Sequence, residues 1–388
     1  MSGFAQLLDH ARALCDDRKL ERVRAWKASH PGGLAIGHMP VYAPRPLIEA
    51  LGCLPVACFG GGDQIDVIRG DAYFQSYICH LPRSTIELGL SGDLDALDGM
   101  IFPAICDVIR NLGGMWKMLF PDKWSGYLDL PQNFDRAIGG RFYRDELTRF
   151  CGELEKLGAR PLTSLALARA IAHENERRAA IVELDALRRA EPHRVRASEA
   201  YAVVRAGAAM PAIEHADFLR AFIAAAKARI ARPLDNVRVV LVGSFCEQPP
   251  IDLLVALEKS SCDIIDDDLQ LGFRMIEGSI AETGDPLDAL VGAYLDLGAA
   301  TASRYIGEKE KGRALLDKVR ATEADGVIFA AASFCDPALL DQPMLEAALA
   351  REGVPFTSLK FSENTGQFQV LREQAGAFSD SVKLWGAA

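Results

Sequence analysis

Two Cys-Asp pairs stand out, because each follows an Asp-Gly turn and a short apolar run. They are LDGMIFPAICD, ending at Asp107, and ADGVIFAAASFCD, ending at Asp336. A third cysteine, Cys79, opens a helically periodic segment in DAYFQSYICHLPRSTIELG. The chain has nine cysteines and no CxxC, so zinc-ribbon and thioredoxin chemistry lack their local signature. Any metal site must be assembled from distant parts of the chain. Three thiolates from separate loops suit an iron–sulfur cubane with one iron left open, since such clusters are ligated chiefly by cysteine thiolate. The expected ligands are Cys79, Cys106 and Cys335.

A lone cysteine after a strand is ordinarily buried packing. The matched placement of Cys106 and Cys335, each before Asp, sets a ligand role level with packing for that pair. Cys15, Cys53, Cys58, Cys151 and Cys262 fall on helical or strand positions typical of a core. Cys246 follows the first strand of the second half and could face the same crevice; it is left outside the ligand set.

Other chemistries lack their residues. There is no GxxxxGK[ST], and FGGGDQI (Phe59 to Ile65) has no lysine, so the Gly60–Gly62 run reads as a tight strand exit and not a phosphate cradle. GxGxxG, HExxH and GxSxG are absent, and the seven histidines show no metal-ligand spacing. A net charge of −10 argues against broad nucleic-acid binding. No apolar run approaches a membrane span. Asp9, Arg12, Asp16 and Asp17 interrupt any signal-peptide stretch, so a cytoplasmic protein with an amphipathic N-terminal helix is expected.

The elements that must position these cysteines come from an internal duplication. GGLAIGHMPVYAPRPLIEALGCLPVACFGGG and NVRVVLVGSFCEQPPIDLLVALEKSSCDIIDDD share one order: strand, Pro-rich turn, helix, strand. The two Cys-Asp segments continue the parallel, and each is followed by a helix and a further strand, GYLDLPQN or FTSLKFSEN. Strands alternating with helices read as parallel βαβ units. The expected fold is α/β, with two doubly wound, Rossmann-like parallel-sheet domains. The limits are an N-terminal helical segment 1–34, a first α/β domain 35–150, a helical segment 151–234 and a second α/β domain 235–388. The middle segment, with LALARAIAHENERRAAIVELDALRRA, reads as a helical spacer or cap with a solvent-facing helix, or as a partner-docking surface. Ligands of open parallel sheets gather outside the strands' carboxyl ends, which places Cys106 and Cys335 in one crevice if the halves face each other.

Together YAPRPLIEALGCLPV, SYICHLPRS, PAICD, IIDDDLQLGFR and SFCDP resemble the 2-hydroxyacyl-CoA dehydratase and benzoyl-CoA reductase family over nearly the whole chain. In that family the three matching cysteines bind a [4Fe–4S] cluster between two Rossmann-like domains, which implies Cys79, Cys106 and Cys335 here. The tail SENTGQFQVLREQAGAFSDSVKLWG is similar to the smaller cluster-bearing subunit of ATP-dependent (class I) reductases. DDDLQLGFR replaces the Cys-Thr-Gly type sequence of dehydratases, and Arg45 stands where the family has an acidic residue. DDDLQLGFR and the tail are expected at strand ends facing the crevice.

The resemblance implies an oxidoreductase of oxygen-free aromatic degradation. A second, related cluster-bearing subunit and two ATPase subunits sharing a cluster would complete a heterotetramer. Low-potential single electrons would reach the ring of an aromatic CoA thioester and give a cyclic dienoyl-CoA. The alternatives are a subunit of a radical 2-hydroxyacyl-CoA dehydratase, or a non-catalytic electron relay. His80, Glu247 and Glu363 are the candidate proton donors or hydrogen-bonding supports of the crevice.

Overall fold

The computed structural model describes residues 3–304, 311–362 and 368–385. The first half runs α1 (Gly3–Cys15), α2 (Glu21–Ser29), β1 (Ala35–His38), α3 (Arg45–Ala50), β2 (Leu54–Ala57), α4 (His80–Ser91), β3 (Gly99–Pro103), α5 (Asp107–Leu119) and β4 (Trp124–Leu128). A helical stretch follows: α6 (Arg141–Leu157), α7 (Ser164–Ala190), α8 (Ala197–Arg205) and α9 (Ala212–Lys227). The second half is β5 (Val237–Val242), α10 (Ile251–Glu258), β6 (Cys262–Asp267), α11 (Pro286–Leu297), α12 (Arg313–Thr322), β7 (Gly326–Ala332), α13 (Asp336–Arg351), β8 (Phe356–Phe361) and α14 (Phe368–Trp385).

Both sheets are four-stranded and parallel, and they share one order: β2-β1-β3-β4 and β6-β5-β7-β8. The fold is therefore α/β with two parallel-sheet units, as the alternation of strands and helices predicts. The Asp-Gly turns serve the same purpose in each. Asp98 accepts the Ala35 N–H at 2.8 Å and Asp325 accepts the Arg238 N–H at 2.7 Å, so each turn docks the third strand of its unit against the first. Side chains of both sheets, including Ile36, Met100, Val239 and Ile328, belong to one continuous apolar core.

The middle segment differs from the expected solvent-facing spacer. One face of α7 is buried, including Glu174, Arg177, Asp185 and Arg188, with Arg177 and Arg188 almost fully covered. Its charges pair inward: Arg188 bonds Asp267 at 2.5 Å, and Asp185 bonds Arg274 at 2.9 Å. Composition and i,i+4 charge spacing look the same for a solvated face and for a buried face whose charges find partners on a distant strand. The N-terminal helix joins this layer, with Phe4, Leu8 and Ala11 packed in a cluster with Leu184, Leu219 and Phe222.

Candidate metal centre

Each predicted thiol occupies the residue just before a helix. Cys79 is the N-cap of α4, Cys106 of α5 and Cys335 of α13. A helix start presents unpaired N–H groups and the positive end of the macrodipole, so three of them favour negative charge. Neither sulfur closes a cap hydrogen bond, but the nearby Val108 and Ile109 N–H groups draw the Cys106 thiol downward and the Ala338 N–H does the same for Cys335.

Burial acts the other way and wins. It raises Cys106, lifts Cys335 to about 12 and holds Cys79 well above its usual value. The thiols also feel one another: Cys335 and Cys106 both raise Cys79, and Cys106 raises Cys335. Without a metal such thiols stay protonated, and binding one releases their protons. Among the described residues, no three His, Cys, Asp or Glu side chains converge as a single metal ion would need. The donor set suits a cluster instead, whose irons take sulfur ligands at separate corners.

The two sheets place these thiols at their topological switch points, where the strand order reverses between β1 and β3 and between β5 and β7. Ligands of doubly wound sheets bind there. Cys106 follows β3 and Cys335 follows β7. The α4 start that carries Cys79 is held from both sides. Gly61 N–H donates to Ser84 Oγ at 3.1 Å, and a Cβ on Gly60 (φ +70°) would lie 2.5 Å from that same oxygen. The glycine run is thus a close approach of the β2 exit to α4. From the second half, Glu247 Oε2 accepts the Leu81 N–H at 3.0 Å, a carboxylate from one unit capping the cysteine-bearing helix of the other.

The remaining candidates divide. His80 is buried beside Cys79, and burial followed by the Arg83 charge lowers its pKa to about 4. Near neutral pH it is therefore an uncharged imidazole. Glu247 is buried at the crevice with one carboxylate oxygen committed to α4. Glu363 lies outside the described residues, as do positions 363–367 of the tail.

The triple Asp does not stand open to a substrate. Lys318 and Arg189 pair with Asp266, while Arg188 and Arg274 pair with Asp267. Asp268 accepts the Gly243 and Ser244 N–H groups at 2.7 and 3.1 Å and so fixes the β5 exit.

The cysteines read as packing fall away from the switch points or into the core. Cys53 and Cys262 sit at the amino ends of β2 and β6, opposite the crevice. Their sulfurs, like that of Cys58, donate to a carbonyl two residues back. Cys151 is buried in the core, and Cys15 donates to the Ala202 carbonyl at 3.4 Å.

Two further residues stand at the crevice: Cys246, which the sequence reading weighs and leaves outside the ligand set, and Tyr42, which it passes over. Cys246 is buried in the β5 exit, within electrostatic reach of Cys79, Cys106 and Cys335. Tyr42 sits in the β1 exit with φ +67°, a left-handed conformation rare for a bulky residue. Its phenol bonds Thr301 Oγ1 at 2.5 Å and Ser303 Oγ at 3.0 Å and lies near Cys246. The available signal was position alone: each follows the first strand of its half, on the side of the switch point facing Cys106 or Cys335.

Residues 40–382 match the family described as 2-hydroxyglutaryl-CoA dehydratase, D-component. The chain is 47% identical to a benzoyl-CoA reductase subunit of Thauera aromatica, over 98% of this chain and 99% of that protein. It is 26% identical to the (R)-phenyllactyl-CoA dehydratase beta subunit of Clostridium sporogenes, over 90% of this chain and 92% of that one. With the (R)-2-hydroxyglutaryl-CoA dehydratase beta subunit of Acidaminococcus fermentans it shares 28% identity, over 90% and 93%. Among the described residues no helix is long and apolar enough to cross a membrane. The chain belongs to the 2-hydroxyglutaryl-CoA dehydratase D-component family, whose relatives named here are subunits of acyl-CoA reductases and dehydratases.

Proposed function

We propose that this chain is the smaller cluster-bearing subunit of an ATP-dependent aromatic acyl-CoA reductase, holding a [4Fe–4S] cluster on Cys79, Cys106 and Cys335. The observation that carries the reading is the meeting of three cysteines at three helix N-termini beside the switch points of two like sheets. The 47% identity to a protein of a benzoyl-CoA reductase favours the reductase over the dehydratase branch.

Bound there, the cluster would supply single low-potential electrons. The chain's own residues hold and insulate it. Helix N-termini offset its negative charge, and the buried surroundings of Cys246 and Cys335 keep water from a strongly reducing site. Glu247 ties the two units together across the crevice, and His80 supports the Cys79 corner as a neutral ring.

Reduction of an arene to a cyclic diene takes two electrons and two protons. The CoA thioester eases the first electron by delocalising charge onto its carbonyl. On this chain Tyr42, whose buried phenol keeps its proton, is the proposed proton-bearing group of the crevice, with His80, Glu247 and Glu363 further candidates. ATP would be hydrolysed on two partner subunits sharing a cluster, and a second, related cluster-bearing protein would complete a cytoplasmic heterotetramer working in anaerobic aromatic degradation.

The test is stoichiometry. The assembled complex should consume reductant only when ATP and an aromatic acyl-CoA are both present, at two electrons per ring, because the electrons stay in the product. Rapid dehydration of a 2-hydroxyacyl-CoA after one priming charge, with no consumption on benzoyl-CoA, would move the chain to the dehydratase branch.

A further inference from the structure

The β5 exit, Gly243–Pro250, is tethered along most of its length. Asp268 takes its first two N–H groups. Ser244 Oγ donates to the Ala330 carbonyl of β7 at 2.5 Å. Gln248 Nε2 donates to the Ser244 and Cys246 carbonyls at 2.9 and 3.2 Å, while its Oε1 accepts the Gln270 N–H at 2.9 Å. Tyr201 Oη donates to the Pro249 carbonyl at 2.8 Å. A Cβ on Gly243, at φ +109°, would sit 3.3 Å from the Ala330 backbone, so the loop leaves the strand pressed against β7.

At the centre of this scaffold is Cys246, 6% exposed, across the β5/β7 switch point from Cys335 at 7%. The next residue caps the helix that begins at Cys79. The packing cysteines Cys53, Cys58 and Cys262 each satisfy their thiol on a carbonyl two residues back. Among the described residues the Cys246 sulfur makes no such bond, and the titratable groups nearest it in effect are Cys335, Cys106, Cys79 and Glu247.

We propose that Cys246 is a fourth thiolate of the centre, so that this subunit's cluster has four cysteine corners and no open iron. The inference rests on the cluster assignment made above and sets aside the open iron expected from three cysteines. Four cysteines are the complete ligand set of an ordinary [4Fe–4S] centre. A closed centre takes one electron in and passes one on, with no bond made or broken to substrate at its irons. It makes this chain the relay, and it places contact with the aromatic ring on the related partner.

The experiment uses the anaerobically assembled complex, with cyanide as the probe for an exchangeable iron. Electron paramagnetic resonance and Mössbauer spectra are compared for wild type, Cys246→Ser and Cys246→Ala. The expected result is a cyanide-sensitive iron gained in Cys246→Ala, about one per copy of this chain, beyond any response of the wild type. Cys246→Ser should keep its iron but shift its spectrum. Loss of the cluster from either variant, with unchanged circular dichroism, likewise assigns the sulfur as a ligand. Spectra and cyanide response identical to wild type in both variants would overturn the proposal, provided that Cys335→Ser loses iron. If Cys335→Ser also keeps all its iron, the cluster assignment itself fails.

Discussion

The two sheets have the same strand order but close their strand exits differently. In the first half the β1 exit carries Tyr42 and ends at the buried Arg45, while the β2 exit approaches α4 through glycine. In the second half the β5 exit carries Cys246 and Glu247, and the β6 exit carries a triple Asp held by arginine and lysine. Only the exits of β3 and β7 match, each giving a cysteine at a helix N-cap. Duplication therefore accounts for one pair of thiols. Divergence accounts for Cys79 in one half and Cys246 in the other, and for making one half glycine-tight and the other charge-locked.

That contrast can be broken most forcefully in the charge-locked half. Arg188→Ala leaves Asp267 and Asp185 buried with one partner fewer. Removing one member of a buried ion pair costs about 3–5 kcal/mol, so denaturant unfolding followed at a second-half probe should show a loss of that size. A loss under about 1 kcal/mol would mean that Arg274 alone holds the strand, on the scale that exposed pairs show.

A smaller effect is expected where the halves touch. Glu247→Ala removes the acceptor of the Leu81 N–H and should cost about 1–3 kcal/mol. Glu247→Gln keeps an acceptor oxygen and should recover most of it. Thermal unfolding of both variants measures the difference, and equal behaviour would show that the charge matters and the hydrogen bond does not.

The last effect is one of pH, at His38 in the first half and at His215 of α9. His38 Nδ1 lies 2.8 Å from the Met39 carbonyl and its Nε2 3.1 Å from Arg45 Nη1. Burial and then the Arg45 charge lower it to about 3, and burial lowers His215 to about 3 as well. The unfolded chain takes up these protons from about pH 6.5 downward and the folded chain does not. Stability is therefore full above pH 6.5 and lost as pH falls toward 3, by up to roughly 1.4 kcal/mol per pH unit for each histidine. Glu49 acts oppositely: raised to about 7 by burial, it contributes fully below pH 4.5, and its contribution is lost as pH rises through 7. His215→Gln should flatten the acid limb of the stability profile by one histidine's share, and an unchanged slope would contradict the assignment.

The fold was legible because alternating strands and helices, and the repeated Asp-Gly turns, are local patterns that both halves carry. Cys106 and Cys335 could be singled out for the same reason, a strand, a cysteine and a helix start close together in sequence, whereas Cys79 showed only as the opening of a helically periodic segment. What escaped was tertiary. Nothing in the charge spacing of α7 announces that Arg188 will meet Asp267, 79 residues away. Cys246 could be placed near the crevice but not among the ligands, because its neighbours Cys79 and Cys106 belong to the other half. The left-handed Tyr42 has no glycine or asparagine to mark it, since its conformation is held by contacts with Thr301 and Ser303.

Two repeat-equivalent cysteine pairs give the most direct test of the central claim, that the matched strand exits hold the metal. Iron content and the reduced-state resonance signal are measured for the anaerobic complex with Cys106→Ser and Cys335→Ser, and with Cys53→Ser and Cys262→Ser. The crevice pair should lose this chain's share of iron and roughly tenfold or more of the activity, the scale on which metal sites respond to even indirect damage. The pair at the strands' opposite ends should retain both. Full iron in Cys335→Ser, or equal iron loss in Cys262→Ser, would contradict it.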